Sequence, residues 1–184
     1  MVKAEELLCR LRDYDMYTYE HSLRVEKYAQ GIGVVFGVTT PILMQAARYH
    51  DVGKLLIPLS VLDEPEPLAS WERHLIGLHP LYGAHMLKNS DVLVDARLII
   101  LYHHTDYREY YDKLPISLAH MVAILMLADS IDAMASDRVY RRKLSVPVIR
   151  EELMKYRGTR YNPYFVDRIL DSGGNKFWLQ LNQE

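Results

Sequence analysis

Apolar side chains recur at intervals of three and four residues along most of the chain, and no run alternates with the two-residue period of a half-buried strand. Val25, Tyr28 and Ile32, for example, share one face of a helix that ends near Gly37. Pro58 and the prolines that follow it interrupt the pattern, as is typical of a loop. The sequence therefore predicts an all-α fold, a compact bundle of about seven to nine helices.

Two helices are especially well marked. Thr40 followed by Pro41 is typical of an N-cap and a first helical position, and the helix that they begin is expected to end near His50. The most apolar helix is expected over residues 116–135. Its uncharged stretch, residues 116–128, is shorter than the roughly 18–20 residues that cross a bilayer. The pattern therefore predicts a buried helix there and no membrane span.

The length and composition favour one globular domain. With 184 residues, of which 49% are hydrophobic, the chain can bury one core. Ser172, Gly173 and Gly174 are expected to separate the last residues from that core. We therefore expect a single domain over residues 1–171 and a C-terminal tail over 172–184. Four apolar residues of this tail are expected to dock either on the domain or on a partner: Phe177, Trp178, Leu179 and Leu181.

The charge and the cysteine content restrict the partners and the compartment. Lys and Arg number 22 against 24 Asp and Glu, so the net charge of -2 gives no field that would gather a nucleic acid polymer or an anionic membrane. Cys9 has no second cysteine to pair with, as in a reducing compartment, and Glu5 and Glu6 interrupt any apolar block of signal-peptide length. We expect a cytoplasmic protein, and a homodimer or a regulatory protein partner stays open.

Histidine and aspartate side chains occur on the apolar helix faces, where burial costs several kcal/mol unless a partner satisfies them. These residues are His21, His50, His79, His103 and Asp129. One such histidine alone is better explained as a hydrogen-bonded core residue. Five together, each on its own apolar stripe, instead predict a shared polar site.

The neighbours Asp51 and His104 complete a set of five imidazoles and two carboxylates, which is enough for two octahedral first-row metal ions sharing a carboxylate. A single cysteine excludes a zinc site of four thiolates, and calcium sites use oxygen ligands. Iron or manganese fits this set best, and nickel, cobalt or zinc can substitute because affinity follows the Irving–Williams order.

The segment His50-Asp51-Val52-Gly53-Lys54 resembles the H-D-x-G-K signature of the HD phosphohydrolase superfamily, and His21 and Asp129 match its order of ligands. Other matches resemble the HD-GYP branch over roughly residues 14–170. They are Tyr17-Thr18 before His21-Ser22, Arg24-Val25, His79-Pro80 with Gly83, His103-His104, Ala128-Asp129 with Asp132-Ala133-Met134, and Ser136-Asp137-Arg138-Val139-Tyr140-Arg141.

The resemblance implies an HD-domain helical bundle and a binuclear phosphodiesterase that opens cyclic dinucleotides, chiefly cyclic di-guanylate. It places His21, His50, Asp51 and Asp129 on one metal ion and His79, His103 and His104 on the other, with Asp51 bridging. In such a centre a water between the cations loses a proton and attacks phosphorus. Asp51 and Lys54 are the expected catalytic residues.

Three basic residues are expected to bind the phosphates of the substrate. Lys54 lies four residues after His50, so in one continuous helix it faces the same cavity. Arg138 and Arg141 lie near the end of the helix that carries Asp129, where a second phosphate can bind. For Arg141, compensation of the helix C-terminus is the alternative role.

The chain departs from the HD-GYP branch after the paired histidines. Residues 105–115 lack the Gly-Tyr-Pro motif and contain no glycine, so a backbone that needs a positive φ would be strained there. Two alternatives to cyclic dinucleotide hydrolysis therefore stay open. One is an HD nucleotidase that releases phosphate from mononucleotides, and the other is a metal-binding but catalytically silent signalling module.

Overall fold

The computed structural model describes residues 3–64, 67–137, 142–171, 174 and 176–178, and in this part of the chain it contains α-helices and no β-strand. The helices are α1 (Ala4–Tyr14), α2 (Met16–Phe36), α3 (Pro41–Tyr49), α4 (Leu59–Leu62), α5 (Ser70–Ile76), α6 (His79–Met86), α7 (Val94–Tyr102), α8 (Tyr107–Tyr110), α9 (Ile116–Ala135), α10 (Val146–Lys155) and α11 (Pro163–Leu170). Short 3-10 turns cover Val52–Leu56, Leu87–Asn89 and Tyr111–Lys113. The predicted all-α fold is confirmed, and the count is higher than expected because α4 and α8 are single turns of four residues.

The ends of α2 and α3 follow from local chemistry. The carboxylate of Asp15 accepts a hydrogen bond from the Thr18 N–H at 3.1 Å and caps α2. The hydroxyl of Thr40 accepts from the Leu43 N–H at 3.2 Å, so the N-cap expected before Pro41 is confirmed. Gly37 ends α2 with a φ of 66°, a left-handed conformation that glycine adopts without steric cost.

Helix α9 forms the centre of the domain and packs against α2, α3, α7 and α10. Its side chains from Leu118 to Asp132 are almost all buried, on every face of the helix. By length and composition α9 could cross a membrane, but 78% of its most apolar window is buried inside the domain. The expected buried helix is therefore confirmed, and its burial is that of a core helix.

The aromatic residues near the C-terminus pack on the domain. Phe177 lies edge-on to Tyr28 of α2, with ring centroids 5.9 Å apart. The indole N–H of Trp178 donates to the carbonyl of Ile169 at 2.6 Å, and the guanidinium of Arg150 lies over its ring. These two rings therefore extend the hydrophobic core beyond residue 171, and Leu179 and Leu181 lie outside the described residues.

Candidate metal centre

The structure brings the seven expected ligand side chains together from five parts of the chain. His21 comes from α2, His50 and Asp51 from the junction between α3 and the first 3-10 turn, His79 from the start of α6, His103 and His104 from the residues after α7, and Asp129 from α9. Six of them are buried, and the His104 side chain is 38% exposed. The centre is therefore enclosed on most sides and reaches solvent at His104.

Three of the histidines are oriented by the backbone of their own turn. In each, the Nδ1–H donates to the carbonyl three residues earlier. The pairs are His50 with Ala47 (2.8 Å), His79 with Ile76 (2.7 Å) and His103 with Ile100 (2.6 Å). Because a carbonyl oxygen only accepts, Nδ1 carries the proton and Nε2 is left to face the centre.

The ligand atoms form two groups on either side of Asp51. The donor atoms of His21, His50 and Asp129 lie within 4.8 Å of one another, and those of His79, His103 and His104 do the same. A third set that meets the same limit, His50, Asp51 and His103, links these two groups. Asp51 Oδ2 is 3.6 Å from His21 Nε2 and 3.5 Å from His50 Nε2, while its Oδ1 is 3.1 Å from His79 Nε2. The two oxygens of one carboxylate thus face the two groups.

Burial and hydrogen-bond partners together set the charge state of the candidate ligands. Burial lowers the pKa of His50 and takes that of His103 well below its usual value, so both rings are neutral and can donate a lone pair. For His21, burial opposes protonation, but hydrogen bonds with Asp129 and Asp132 raise its pKa to about 9 in the metal-free protein. A cation bound here must therefore displace a proton from His21.

The two carboxylates stay ionised in this environment. Burial alone would raise the pKa of Asp51, but the positive charge of Lys54 holds it well below its usual range. Burial also opposes ionisation of Asp129, and its hydrogen bond with His21 outweighs that effect and lowers the pKa. Imidazole nitrogens and ionised carboxylates directed at one interior form a donor set that fits a divalent first-row metal ion.

Lys54 lies at the edge of the centre, but it is not a helical repeat from His50 that places it there. Helix α3 ends at Tyr49, and Lys54 lies on the 3-10 turn that follows, so no continuous helix joins it to His50. The tighter turn brings its Nζ to 2.7 Å from Asp51 Oδ2, and its side chain is 20% exposed. The ammonium group is thus at the edge of the centre, in contact with the ligand that lies between the two groups.

Sequence reasoning assigned no site role to Asp132 and Arg24. Asp132 accepts a hydrogen bond from His21 Nδ1–H at 2.6 Å, and Arg24 donates to both oxygens of Asp132 at 2.8 and 3.2 Å. The spacing of the two acids could have identified Asp132. It follows Asp129 by three residues on the otherwise apolar α9 and so lies on nearly the same face of the helix.

Arg138 and Arg141 lie outside the described residues.

The segment 105–115, which follows the paired histidines, is folded against the domain. Tyr110 is fully buried, the Tyr111 hydroxyl lies 3.3 Å from His120 Nε2, and the Tyr107 N–H donates to the Arg160 carbonyl at 3.0 Å. No residue other than glycine has a positive φ in the part of the chain that the structure describes, so this segment avoids the strained backbone.

Comparisons with known proteins identify the family of this chain. A family model that describes the HD domain matches residues 18–134. The chain is 30% identical over 166 residues to 3'3'-cGAMP-specific phosphodiesterase 2 of Vibrio cholerae, covering 84% of this chain and 31% of that protein. It is 35% identical over 135 residues to the cyclic di-GMP phosphodiesterase response regulator RpfG of Xanthomonas campestris, covering 70% and 35%. The chain therefore spans about a third of the length of these relatives.

Solved structures show the same fold. The HD domain of the L. monocytogenes phosphodiesterase PgpH superposes with a TM-score of 0.69 at 20% identity, covering 96% of this chain and 97% of that one. The same domain in complex with cyclic-di-AMP gives a TM-score of 0.67, also at 20% identity, with coverages of 94% and 95%. The expected HD-domain bundle is confirmed.

Proposed function

This chain belongs to the HD domain family, and from that premise we propose that it is a metal-dependent phosphodiesterase that hydrolyses a cyclic dinucleotide. The observation that carries the proposal is the convergence of five imidazoles and two carboxylates on one buried centre. Relatives that are named as cyclic di-GMP and 3'3'-cGAMP phosphodiesterases support the substrate class. The complex of the PgpH domain with cyclic-di-AMP supports it as well.

The proposed centre holds two divalent metal ions, iron or manganese in the first place, with nickel, cobalt or zinc as substitutes. His21, His50 and Asp129 would hold one ion, and His79, His103 and His104 the other. Asp51 would serve both, because its two oxygens face the two groups. When bound, such ions polarise the phosphodiester and lower the pKa of water.

Lys54 is the proposed second catalytic residue. Its ammonium group, partly exposed and 2.7 Å from Asp51, places a positive charge at the edge of the centre. That charge would stabilise the negative charge that develops on the phosphate oxygens. Arg138 and Arg141 stay predictions for binding a second phosphate. Because the net charge of the chain is -2, recognition of an anionic substrate depends on such local cations.

The test is an assay of the purified protein loaded with manganese, or with iron under anaerobic conditions. The substrates are cyclic di-GMP, 3'3'-cGAMP, cyclic di-AMP, a linear dinucleotide and mononucleotides. We expect linear dinucleotide or mononucleotide products from at least one cyclic dinucleotide. Asp51→Asn should lose metal and turnover, whereas Asp13→Asn, at a side chain that is 72% exposed, should retain both.

Two results would contradict the proposal and select an alternative. Release of phosphate from mononucleotides alone would indicate a nucleotidase. No turnover of any substrate, with equal nucleotide binding by the wild type and by Asp51→Asn, would indicate a catalytically silent signalling module.

A further inference from the structure

A chain of polar contacts runs from the surface to the metal centre through two residues that are not ligands. Asp132 is fully buried on α9, and its Oδ2 accepts a hydrogen bond from His21 Nδ1–H at 2.6 Å. Arg24, whose side chain is 31% exposed, donates from Nε to Oδ1 at 2.8 Å and from Nη2 to Oδ2 at 3.2 Å. The hydroxyl of Ser136 also donates to Oδ1 at 3.3 Å.

His21 differs from the other buried histidines of the centre in what orients it. His50, His79 and His103 each donate Nδ1–H to a neutral backbone carbonyl of their own turn. His21 lies inside α2 and donates to the carboxylate of Asp132, which comes from another helix. A carboxylate behind a metal-binding imidazole fixes the ring and increases its basicity, which strengthens the ligand.

Arg24 in turn fixes the carboxylate. Its planar guanidinium binds both oxygens of Asp132, a paired geometry that restricts rotation of the acid. Arg24 lies three residues after His21, nearly one turn along α2, so one helix supplies both the ligand and the cation that holds the ligand's partner. Without Arg24, Asp132 would be a buried carboxylate with only His21 and Ser136 as side-chain partners in the described structure.

We infer that Asp132 and Arg24 are positioning residues that set the cation affinity of the half of the centre formed by His21, His50 and Asp129. This inference rests on the proposed metal centre. A merely structural role, in which the Arg24–Asp132 pair only joins α2 to α9, makes a different prediction. In that case, substitution of either residue would lower the stability of the domain and leave its cation affinity unchanged.

The test is titration of the metal-free protein with Mn²⁺, with free Mn²⁺ followed by its electron paramagnetic resonance signal. Asp132→Asn retains the shape of the side chain and removes its charge. We expect affinity at one of the binding sites to fall about 10- to 100-fold, the usual effect of removing such a partner. Arg24→Gln should act in the same direction, and Arg24→Lys should lie between it and the wild type because the charge remains but the paired geometry is lost.

Arg48→Gln is the matched control. Arg48 is also 31% exposed and also binds two acidic side chains, Glu26 at 2.8 Å and Glu5 at 3.3 Å, but neither acid is a proposed ligand. This variant should bind Mn²⁺ as the wild type does. In addition, Asp132→Asn combined with His21→Asn should bind no more weakly than His21→Asn alone, because the partner acts only through the ligand.

Mn²⁺ affinity equal to that of the wild type in folded Asp132→Asn, or in Arg24→Gln if the first variant does not fold, would overturn the inference. A wild-type protein that binds Mn²⁺ without hydrolysing any nucleotide would refute the proposed activity and leave this test valid. A wild-type protein that binds no cation would refute both the centre and the inference.

Discussion

Gly53 is a position at which one added methyl group should directly disturb the proposed metal centre. It lies on the 3-10 turn between Asp51 and Lys54, and its Cα is packed against the first turn of α6. A Cβ built on Gly53 would lie 2.0 Å from the carbonyl oxygen of His79 and 2.5 Å from the N of Gly83. Both atoms belong to the backbone, so no side-chain rotation can relieve the contact.

The size of the effect follows from that distance. Cβ contacts below 3.0 Å essentially never occur, so in Gly53→Ala the turn and α6 must separate by about 1 Å. Overpacking of this kind costs about 1–3 kcal/mol in the free energy of unfolding. The same shift moves His79 Nε2 away from Asp51 Oδ1, which lies 3.1 Å from it in the wild type. A misplacement of about 1 Å at a reacting centre costs about 100-fold in turnover.

Two measurements on two variants separate the local effect from general destabilisation. Gly37→Ala is the control, because Gly37 has a φ of +66° with nothing within 4 Å of the added carbon, so it should cost about 1–2 kcal/mol without moving the centre. Urea unfolding should show a loss of stability in both variants. Mn²⁺ titration should show weaker binding in Gly53→Ala alone, and unchanged stability and affinity in that variant would refute the reasoning.

Three further predictions concern other parts of the molecule. The buried Tyr110 hydroxyl finds no hydrogen-bond partner among the described residues, so Tyr110→Phe should be at least as stable as the wild type. Tyr110→Ala should lose about 3–5 kcal/mol in the free energy of unfolding, measured with urea. A large loss in Tyr110→Phe would show that the hydroxyl is paired. In the metal-free protein the pKa of His21 is raised to about 9, so its protonation stabilises the fold fully below pH 6.5. The melting temperature should therefore fall as the pH rises from 6.5 through 9, and a His21→Gln variant should lack that decline. An equal decline in both proteins would show that His21 is not the responsible group. Trp178→Ala should cost about 3–5 kcal/mol in unfolding free energy with no change in metal stoichiometry, and loss of bound metal in a folded variant would contradict a purely structural role.

The helical fold and the convergence of the candidate ligands could be predicted because buried residues recur along the sequence with the period of a helix. His21, His50 and Asp129 lie on apolar stripes, and an apolar stripe of a helix faces the core. Polar groups on such stripes must meet a partner in the interior, which is where the structure places them. Periodicity therefore identified which residues are buried together without showing how they are oriented.

Orientation depends on tertiary contacts and on local turns that leave no such period in the sequence. The four-residue spacing after His50 suggested that Lys54 faces the cavity by the helical repeat, whereas α3 ends at Tyr49 and a 3-10 turn carries Lys54. Asp132 was left without a role because its partners, His21 and Arg24, are more than 100 residues away in the sequence. The docking of Phe177 and Trp178 was also undecided, since an apolar segment does not indicate which surface it covers.

The backbone carbonyls behind His50, His79 and His103 have a consequence for the supply of metal to this protein. A carbonyl of its own turn holds each ring in one orientation, so we expect the Nε2 atoms to keep facing the centre when no ion is bound. The side chain of His104 is 38% exposed, so we expect an ion to enter and leave beside it without separation of the helices. Ions should thus exchange without unfolding of the domain, and the metal found in the purified protein should reflect the growth medium as much as the ligands.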